Sequence, residues 1–582
     1  MDLRKHASPE GRASARPVCF DSDPPKHPVK HLRTVLIYGL LLVGSLIFVW
    51  PFLWMAATSA KLDRELFSET LTLLPQRPIP RLQSPYLDDR LFDDLRGPRL
   101  EETVGLIEKD LAAANYPWPN DLPPAQLRHQ TARGLYARLL SRLPGEVWEQ
   151  SAEQLHAAIA PLLSPAMIAE VVAQLRRVLC LGALRVQSYD QHEDLLVPAS
   201  AAATAWQLSG TARAQLLAAG TPNQPFAELH YDFVPGSTVT LSQTFRTTFP
   251  LARLHRLQLG LQYDDTWHAL QLFIEKNGQR YAAARTLPLS DHEWVVDTWQ
   301  ERGPDDRPTK IRTWTLLEPV ARSGSPPPAT TTPNELKVTL ELHRSTQLQA
   351  WWAKIQRNYR LTFDQIPFWR YVGTSLFLVI LNLVGTLLSC SLVAYSFARL
   401  QWPGRSFCFA LLLATMMIPA QVTMIPQFLI MQKLGWYNTL QPLWIASFVA
   451  PAFYVFLLRQ FLKGIPRDLE DAARLDGCGF LRIYWHIMLP LVRPTLAAIA
   501  IFTFLATWNE FMMPLIYLAD QRLYPLSFGL YAFQVQVSNP GTAKGMGMVM
   551  AGSLLMTLPV IAIFFFAQRY FLRGVTLTGM KG

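Results

Sequence analysis

The stretch IPRDLEDAARLDGCGFLRIYWHIMLP, residues 465–490, separates two strongly apolar blocks of the chain. Its acidic residues follow Pro466 closely, at the end of a helix where the backbone dipole is positive and favours negative charge. Ala472 and Ala473 offer a surface without bulky side chains, and Gly477 can end the helix in a left-handed conformation. The pattern predicts a short surface helix that fits into a groove on another protein.

The composition is that of a membrane protein with a soluble part. Of the 582 residues, 50% are hydrophobic and 17% are charged, and the mean hydropathy is +0.12; soluble domains carry about 25% charged residues. The net charge of +10 fits positively charged cytoplasmic loops, so we expect no nucleic-acid partner. The five cysteines form no CxxC pair, so we expect neither a metal site nor a disulfide framework.

Residues 34–58 form the first predicted transmembrane helix. The run at 34–57 carries no charge and is long enough to cross about 30 Å of hydrocarbon. Seven Lys or Arg residues in the tail 1–33 place the N-terminus in the cytoplasm. A cleaved signal peptide is the alternative, but its apolar region usually spans about 7–15 residues.

Five further apolar blocks raise the expected number of transmembrane helices to six. The loops between them alternate between many and few Lys and Arg residues, which places both termini in the cytoplasm. The predicted fold is an α-helical polytopic membrane protein, with the segment 59–357 inserted on the extracytoplasmic side. The blocks lie near 372–397, 407–431, 440–458, 494–518 and 549–568.

The pattern of the inserted segment predicts an α+β domain. Apolar residues recur at helical spacing between about 85 and 190, and they alternate with polar residues between about 225 and 345. Asn277 and Gly278 join two of the alternating runs, and this pair is a strong signal for a hairpin turn. We therefore expect helices followed by an antiparallel β-sandwich.

The stretch 465–490 resembles the EAA loop of bacterial ABC-transporter permeases. That pattern is roughly Glu-Ala-Ala, three residues, Gly, nine residues and Ile-x-Leu-Pro, and seven positions match it in register. One departure is Asp471, which stands where the family has Glu, with Glu470 just before it. The matching residues are Asp471, Ala472, Ala473, Gly477, Ile487, Leu489 and Pro490.

Other segments are similar to the sugar-uptake branch of these permeases, in particular to its maltose-permease G-type subunits. They include NYRLTFDQIPFWRYVGTSL at 358–376 and MIPAQVTMIPQFLIMQKLGWYNT at 417–439. The resemblance covers 34–80 and 358–582, so we expect the permease core at 358–582. The inserted domain has no counterpart in typical members of the family.

The resemblance implies a division of labour in a bacterial cytoplasmic (inner) membrane. This multi-pass chain would contact membrane lipid and assemble with a sister permease, a dimer of ATP-binding subunits and an extracytoplasmic solute-binding protein. The chain has no G-x-x-x-x-G-K-[ST] phosphate loop, so we expect a transport subunit and not an enzyme. It would have no catalytic residue and bind no cofactor itself, since the partner uses ATP.

The resemblance also implies that the loop couples this chain to the ATPase. A side chain at position 477 would collide with the wall of the partner's groove, so we expect Gly477→Asp to abolish transport without loss of expression. The residues expected in the coupling loop are Glu470, Asp471, Ala472, Ala473, Asp476, Gly477, Ile487, Leu489 and Pro490.

Polar residues in the predicted spans are candidates for lining the pathway, because polar groups are costly in a membrane and usually face a cavity or the bundle interior. An interhelical hydrogen bond is the alternative for each of these residues, and simple interfacial exposure is a further alternative for Glu510. Pro419 and Pro426 predict a break in the third span. The candidates are Asn382, Gln421, Asn509 and Glu510.

The resemblance implies import of a sugar or oligosaccharide, and two alternatives stay open for the whole chain. One is a membrane-anchored extracytoplasmic glycan receptor or sensor, and the other is the same permease with a non-sugar cargo such as glycerol phosphate. The inserted domain can dock the solute-binding protein, bind carbohydrate or hold the sister permease. Its tryptophans suit either a core or sugar stacking; they are Trp267, Trp294, Trp299 and Trp314.

Overall fold

A computed structural model describes most of the chain. It covers residues 28–66, 72–88, 91–92, 95–114, 116–119, 124–302, 314–320, 334–537 and 545–576, without the side chains of 28–33, 35 and 568–576. The predicted tail 1–33 lies largely outside these residues. The chain divides into two compact units, Met1–Trp54 and Met55–Gly582. Helix α1 (Pro28–Thr58) begins in the first unit, where its described side chains are mostly apolar and exposed, as in a helix that crosses a membrane.

The inserted segment begins with a helical layer. After α2 (Asp63–Leu66) and β1 (Tyr86–Leu87) come α3 (Leu100–Ala113), α4 (Pro124–Leu140), α5 (Ala152–Ile159), α6 (Pro165–Leu175) and β2 (Arg176–Arg177). The apolar faces of these helices share one core, which includes Ile107, Leu135 and Val171. The helical region, expected to reach about residue 190, ends earlier, at Leu175.

The rest of the inserted segment is a sheet of 13 described strands. A short helix, α7 (Ala202–Ala205), separates β4 from β5. The strands are β3 (Leu179–Ser188), β4 (Glu193–Val197), β5 (Gln207–Gly210), β6 (Arg213–Thr221), β7 (Gln224–Asp232), β8 (Thr238–Arg246), β9 (Leu254–Gln262), β10 (Ala269–Lys276), β11 (Gln279–Ala283), β12 (Leu287–Pro288), β13 (Trp294–Glu301), β14 (Thr315–Pro319) and β15 (Glu335–His343).

The sheet curls around a single core. Its strand order is β5-β8-β15-β10-β11-β14-β13-β9-β3-β7-β6, with β12 beside β10 and β4 beside β3. The two end strands, β5 and β6, follow each other directly in the chain, and Leu241, Leu261 and Leu340 from separate strands lie in one buried cluster. Asn277 and Gly278 have φ angles of 48° and 72° and join β10 to β11, which confirms the hairpin expected there.

This sheet differs from the expected sandwich in two respects. Its strands begin at Leu179 and not near residue 225, because β3 is a central strand whose mostly buried, continuous apolar run lacks the alternation of a half-buried strand. In addition, β13 and β14 pair in parallel within an otherwise antiparallel sheet. Side chains alternate with a period of two in both kinds of pair, so the sequence pattern does not distinguish them.

Helix α8 (Gln347–Gln365) crosses the domain boundary expected at residues 357 and 358. Asn358, on its buried face, donates hydrogen bonds from Nδ2 to the carbonyl oxygens of Ser59 and Lys61, at 2.9 and 2.8 Å. Helix α8 therefore begins in the predicted inserted domain and contacts the residues that directly follow α1. The buried polar residues of this face are spaced by four; they are Lys354, Asn358 and Thr362.

The C-terminal part is helical, and two buried clusters hold it together. Helices α9, α12 and α16 share the first cluster with the short helices between them, and α9, α16, α18 and α19 share the second. The helices are α9 (Phe368–Arg399), α10 (Arg405–Thr415), α11 (Ala420–Lys433), α12 (Ala452–Lys463), α13 (Asp468–Leu475), α14 (Phe480–Ile483), α15 (Leu489–Leu491), α16 (Arg493–Asn509), α17 (Met512–Tyr517), α18 (Leu526–Val537) and α19 (Met546–Thr576).

Within the described part of the chain, four helical stretches are long and apolar enough to cross a membrane: Leu36–Thr58, Phe368–Arg399, Ile445–Lys463 and Met546–Ala567. Three bent pairs raise the number to seven if each pair is one span. Two of these pairs fall on expected spans, with bends of 99° between α10 and α11 and of 76° between the Phe480–Leu491 segment and α16. The third pair, formed by Ala152–Leu162 and Pro165–Leu175, contributes to the core of the helical layer.

Candidate coupling surface and pathway residues

Helix α13 ends at a glycine, as its sequence predicts. Gly477 has a φ of +79°, in the left-handed region that residues with a Cβ rarely adopt. Its N–H donates to the carbonyl oxygen of Arg474 at 3.0 Å, and the N–H of Cys478 donates to that of Ala473 at 2.9 Å. These two bonds form a Schellman motif, which satisfies the last carbonyl groups of the helix and reverses the chain.

The residues predicted for the coupling loop separate by exposure. Asp471, Ala472, Asp476 and Gly477 are exposed on one side of the loop. The other predicted residues face the helices of this chain: Glu470 and Ala473 are buried, and Ile487, Leu489 and Pro490 are half-buried. The first group is available to a partner, whereas the second attaches the loop to its own chain.

A buried ion pair anchors α13 to the end of α9. The Nε of Arg399 lies 3.1 Å from Oε1 of Glu470, and both side chains are almost fully buried. The Arg399 guanidinium also donates to the carbonyl oxygens of Leu462 and Ile465, the latter at 2.7 Å. On the exposed side, Nη2 of Arg474 lies 3.7 Å from Oε2 of Glu470. The acid that holds the loop is therefore Glu470, and Asp471, which matches the EAA pattern, has a largely exposed side chain.

The segment after α13 is attached to α9 by a second contact. Residues Tyr484–Met488 form a turn of π-helix, a local widening of the α-helix that is frequent at functional sites. The hydroxyl oxygen of Tyr484 lies 2.7 Å from that of Ser391 on α9, and both side chains are buried. Ala473, Ile483 and Met488 lie in the same buried cluster as residues of α9 and α12. The loop therefore packs into the same buried core as these helices.

The outer face of the loop carries an exposed apolar rim, which we define as Leu475, Phe480, Leu481 and Trp485. Leu475 is 90% exposed and Leu481 is 76% exposed. The guanidinium of Arg474 lies 5.5 Å from the centre of the Phe480 ring. Several large apolar side chains exposed on one short segment beside charged groups are typical of a protein–protein contact.

Sequence reasoning missed three residues of this arrangement: Ser391, Arg399 and Tyr484. Arg399 has a recognisable signal, because it is the last residue of a long apolar run and a charge there must either reach water or find a partner. Ser391 and Tyr484 have no comparable signal, since small polar and aromatic residues are common in such helices.

Two of the pathway candidates lie on α9 and α11. Nδ2 of Asn382 donates to the carbonyl oxygen of Leu378 at 2.9 Å and to that of Leu443 at 3.2 Å. The second bond joins α9 to the segment before α12, so Asn382 makes the interhelical contact named above as its alternative. Gln421 is exposed in the first turn of α11, next to the bend at Pro419. The observed break falls before Pro419, and Pro426 lies inside α11.

The other two pathway candidates lie where the expected fifth span divides. Asn509 ends α16 and donates to the carbonyl oxygen of Leu505 at 2.9 Å. The carboxylate of Glu510 accepts the backbone N–H groups of Met512 and Met513 at 2.8 and 3.1 Å, so it caps the start of α17. Both residues are exposed.

The tryptophans of the inserted domain have different environments. Trp267 and Trp299 are buried, as expected for core residues, whereas Trp294 is 46% exposed and makes an edge contact with Phe226. Trp314 is half-buried. Trp294 therefore has the surface that a stacking residue needs, and the two buried side chains do not.

With four to seven candidate spans among its described residues, and a short helix fixed between two apolar segments, the chain has the architecture of the membrane subunit of a transporter. The family model of the binding-protein-dependent transport system inner membrane component matches residues 390–577. The chain belongs to this family and is a permease subunit of an ABC importer. Family membership favours the transporter over the anchored receptor or sensor.

Several proteins that resemble this chain are permease subunits of transport systems. The arabinooligosaccharides transport system permease protein AraQ of Halalkalibacterium halodurans is 39% identical over 215 residues, which cover 37% of this chain and 75% of the relative. The sn-glycerol-3-phosphate transport system permease protein UgpE of Yersinia enterocolitica is 30% identical over 212 residues, covering 36% and 74%. A solved bacterial ABC transporter that imports the acidic polysaccharide alginate aligns with a TM-score of 0.34 and 27% identity, over 37% of this chain and 79% of that one.

Proposed function

We propose that this chain is the sugar-conducting permease subunit of a bacterial importer, with six spans in the cytoplasmic membrane and both termini inside. In this proposal the inserted domain is extracytoplasmic, a sister permease completes the pathway, and two ATP-binding subunits drive transport. An extracytoplasmic solute-binding protein delivers the cargo. The observation that carries the proposal is helix α13, held by the buried Arg399–Glu470 pair beside an exposed apolar rim.

The coupling step follows from this arrangement. Closure of the ATP-binding subunits moves the groove that holds α13. Because Glu470 is paired with Arg399 and Ala473 packs into the cluster of α9 and α12, a shift of α13 pulls on those helices. The motion is passed to the membrane helices as a rigid-body change between outward and inward access. In this mechanism the exposed Asp471, Ala472, Asp476 and Gly477 meet the partner.

The cargo that we propose is a neutral oligosaccharide. Two relatives support it by name, since one transports arabinooligosaccharides and another, NgcG of Streptomyces coelicolor, takes up diacetylchitobiose. Glycerol 3-phosphate is the second candidate, because UgpE is also a relative. Gln421 and Asn509 are the candidates whose exposed amides can donate to hydroxyl groups in the pathway.

Purification of the tagged chain from its native host, followed by mass spectrometry, tests the assembly. We expect a second permease and a protein with a phosphate loop in stoichiometric amounts. Recovery of the chain alone would contradict the proposal. Uptake by the purified assembly in vesicles, with maltotriose, arabinotriose and glycerol 3-phosphate compared, then distinguishes the two classes of cargo.

The apolar rim provides a test of coupling itself. Leu481→Asp places a charge on the proposed contact, so we expect the ATP-binding subunit to be lost on purification. Leu348→Asp is the matched control, because Leu348 is 80% exposed and lies on α8, outside the rim. Equal loss in the two variants, or retention in both, would show that the rim does not hold the ATPase.

We also propose that the inserted domain docks the solute-binding protein, because in this topology it lies on the side from which that protein arrives. Cross-linking of the two proteins, with and without residues 79–345, tests this role. Undiminished cross-linking without the domain would refute this docking role.

A further inference from the structure

The inserted domain contains a cavity of about 440 Å³ that the transport mechanism does not use. It lies where α8, the segment after α2, and the loops β9–β10 and β12–β13 meet. Ile79 and Leu91 line it and are 38% and 39% exposed, so the cavity opens to solvent. Its volume is within the range of small-molecule sites, about 300–1,000 Å³.

The charges on the cavity wall are balanced in number, and three ion pairs lie among them. Five basic and five acidic side chains line the cavity. Nη2 of Arg64 lies 2.6 Å from Oδ2 of Asp265, and Nη2 of Arg177 lies 2.7 Å from Oδ2 of Asp88. Lys354 pairs with Glu65 in the same way. An ionic ligand would have to disrupt such pairs, whereas a hydroxyl group can share the remaining lone pairs and N–H groups without separating them.

Three residues of the wall have backbone conformations that residues other than glycine seldom adopt. Asp265, Trp267 and Asp291 have φ angles of 58°, 61° and 90°. A positive φ is unusual for any side chain and an outlier for a bulky one, and such residues gather at binding sites because the surrounding structure must hold them there.

The loop that contains Trp267 is held by buried hydrogen bonds. The carboxylate of Asp264 accepts the hydroxyl and the N–H of Thr266, at 2.6 and 3.2 Å, and it also accepts the hydroxyl of Tyr231. Asp264, Thr266 and Trp267 are all buried. This rigid support presents the Asp265 carboxylate to the cavity in one orientation, which is the property of a preorganised site.

The aromatic rings of the wall are covered by cations. Nζ of Lys354 lies 5.7 Å from the centre of a Trp267 ring, and the Arg81 guanidinium lies 5.4 Å from that of Tyr86. Burial lowers the pKa of His292 to about 4, so its ring is neutral near pH 7. The wall therefore offers hydrogen bonds in place of an open stacking face or a net charge.

We propose that this cavity binds a neutral polyhydroxylated ligand, a short oligosaccharide, through hydrogen bonds to its paired charged side chains. The choice of a sugar as the ligand rests in part on the proposed function. The cavity and its charge balance are observed independently of that function. The inserted domain would then hold a sugar site of its own, apart from the pathway.

Calorimetric titration of the purified full-length chain in detergent with maltotriose, arabinotriose and cellotriose tests the proposal. Ile79→Trp fills the cavity without altering a charge pair, and we expect it to weaken binding at least tenfold. Val296→Trp is the matched control, since Val296 is 63% exposed on β13 and does not line the cavity. Leu91→Trp is a second filling variant if Ile79→Trp lowers the melting temperature.

Failure to bind any of the three sugars at millimolar concentration would overturn the proposal. Equal binding by wild type and a stably folded filling variant would do so as well. Binding of glycerol 3-phosphate or trigalacturonate in preference to the neutral sugars would refute the ligand class. The titration needs no ATPase, so it tests the site independently of transport. Binding without uptake would support the sugar site and refute the sugar-importer function. Uptake without binding would support the importer function and refute the site.

Discussion

At the scale of single residues, the Arg399–Glu470 pair determines how α13 is held. Removing two charges from water costs several kcal/mol, and the cost is recovered only when hydrogen bonds satisfy the remaining groups. Arg399 meets this condition in part, since its Nη2 donates to the carbonyl oxygens of Leu462 and Ile465. The pair is therefore worth little on its own, but loss of one partner leaves a buried charge.

We expect Glu470→Ala to destabilise the chain by about 3–5 kcal/mol, because Arg399 then stays buried without a counter-ion. The measurement is the melting temperature of the purified chain in detergent. Asp471→Ala is the control, since the Asp471 side chain is 64% exposed and we expect a change within about 0.5 kcal/mol. A larger loss for Asp471→Ala than for Glu470→Ala would reverse the assignment of the anchoring acid.

A substitution at Gly477 distinguishes an effect on folding from an effect on transport. Its left-handed φ costs a residue with a Cβ about 1–2 kcal/mol, but a Cβ built there meets no atom within 4 Å. We therefore expect Gly477→Asp to reach the membrane in nearly normal amounts and to reduce ATP-driven uptake at least tenfold, because the added carboxylate faces the partner.

Gly404→Asp is the control for this prediction. Gly404 has a φ of +81° and equally open surroundings, and it lies before α10 instead of in the coupling loop. Uptake should remain close to wild type in this variant. If both variants lose uptake equally, backbone strain and not partner contact explains the effect.

At the scale of elements, α8 joins the inserted domain to the segment after α1. The carboxylate of Asp63 accepts the backbone N–H groups of Gly545 and Gly547, at 2.6 and 3.0 Å, and so caps the start of α19. Gly547 has no side chain for a reason, since a Cβ there would lie 2.5 Å from Nδ2 of Asn358 on α8. The side chain of Asn358 on α8 thus packs directly against the backbone at the start of α19.

We expect Lys354→Met to destabilise this junction by about 3–5 kcal/mol, because the buried carboxylate of Glu65 loses the ammonium group that it pairs with. The double variant Lys354→Met with Glu65→Leu should recover much of the loss, since an apolar pair needs no hydrogen bonds. Lys337→Met is the control at an exposed pair, where Nζ lies 3.8 Å from Glu275. The measurement is the melting temperature of the wild type and of the three variants. A double variant that melts no higher than Lys354→Met would contradict this account.

At the scale of the whole molecule, the two ends of the inserted domain lie next to each other. Nε2 of Gln347 donates to the carbonyl oxygen of Pro78 at 2.6 Å, and Nζ of Lys354 donates to that of Gln76 at 2.6 Å. Adjacent ends are the usual geometry of an inserted domain, because the host fold then needs no rearrangement.

We expect a chain in which a short Gly-Ser linker replaces residues 79–345 to reach the membrane and to copurify with the ATP-binding subunit. The linker has to span only adjacent ends, and α8 with its contacts is retained. A deletion of 79–357 removes Lys354, which forms the buried ion pair with Glu65, so we expect far less protein in the membrane. Quantitative blotting of membranes measures both. Equal amounts of the two shortened chains would show that α8 is not needed.

Much of the helical architecture was predictable because its signals are local. Runs of about twenty uncharged residues indicate spans by length alone, and Gly477 and Asn277-Gly278 mark a helix end and a hairpin through their own backbone preferences. The six-span topology, its orientation and the pathway residues remain predictions, since no single residue determines which side of a membrane a loop lies on.

Sequence alone determined the apolar blocks, the short helix between two of them, its glycine end and the family to which those residues point, because each depends on neighbours within a few positions. The tertiary structure decided that Glu470 and not Asp471 meets Arg399, that β3 is a central strand, and that α8 crosses the domain boundary. It also brought Arg64, Asp265 and Lys354 to one cavity. These features depend on which faces pack together, and packing joins residues that are hundreds of positions apart.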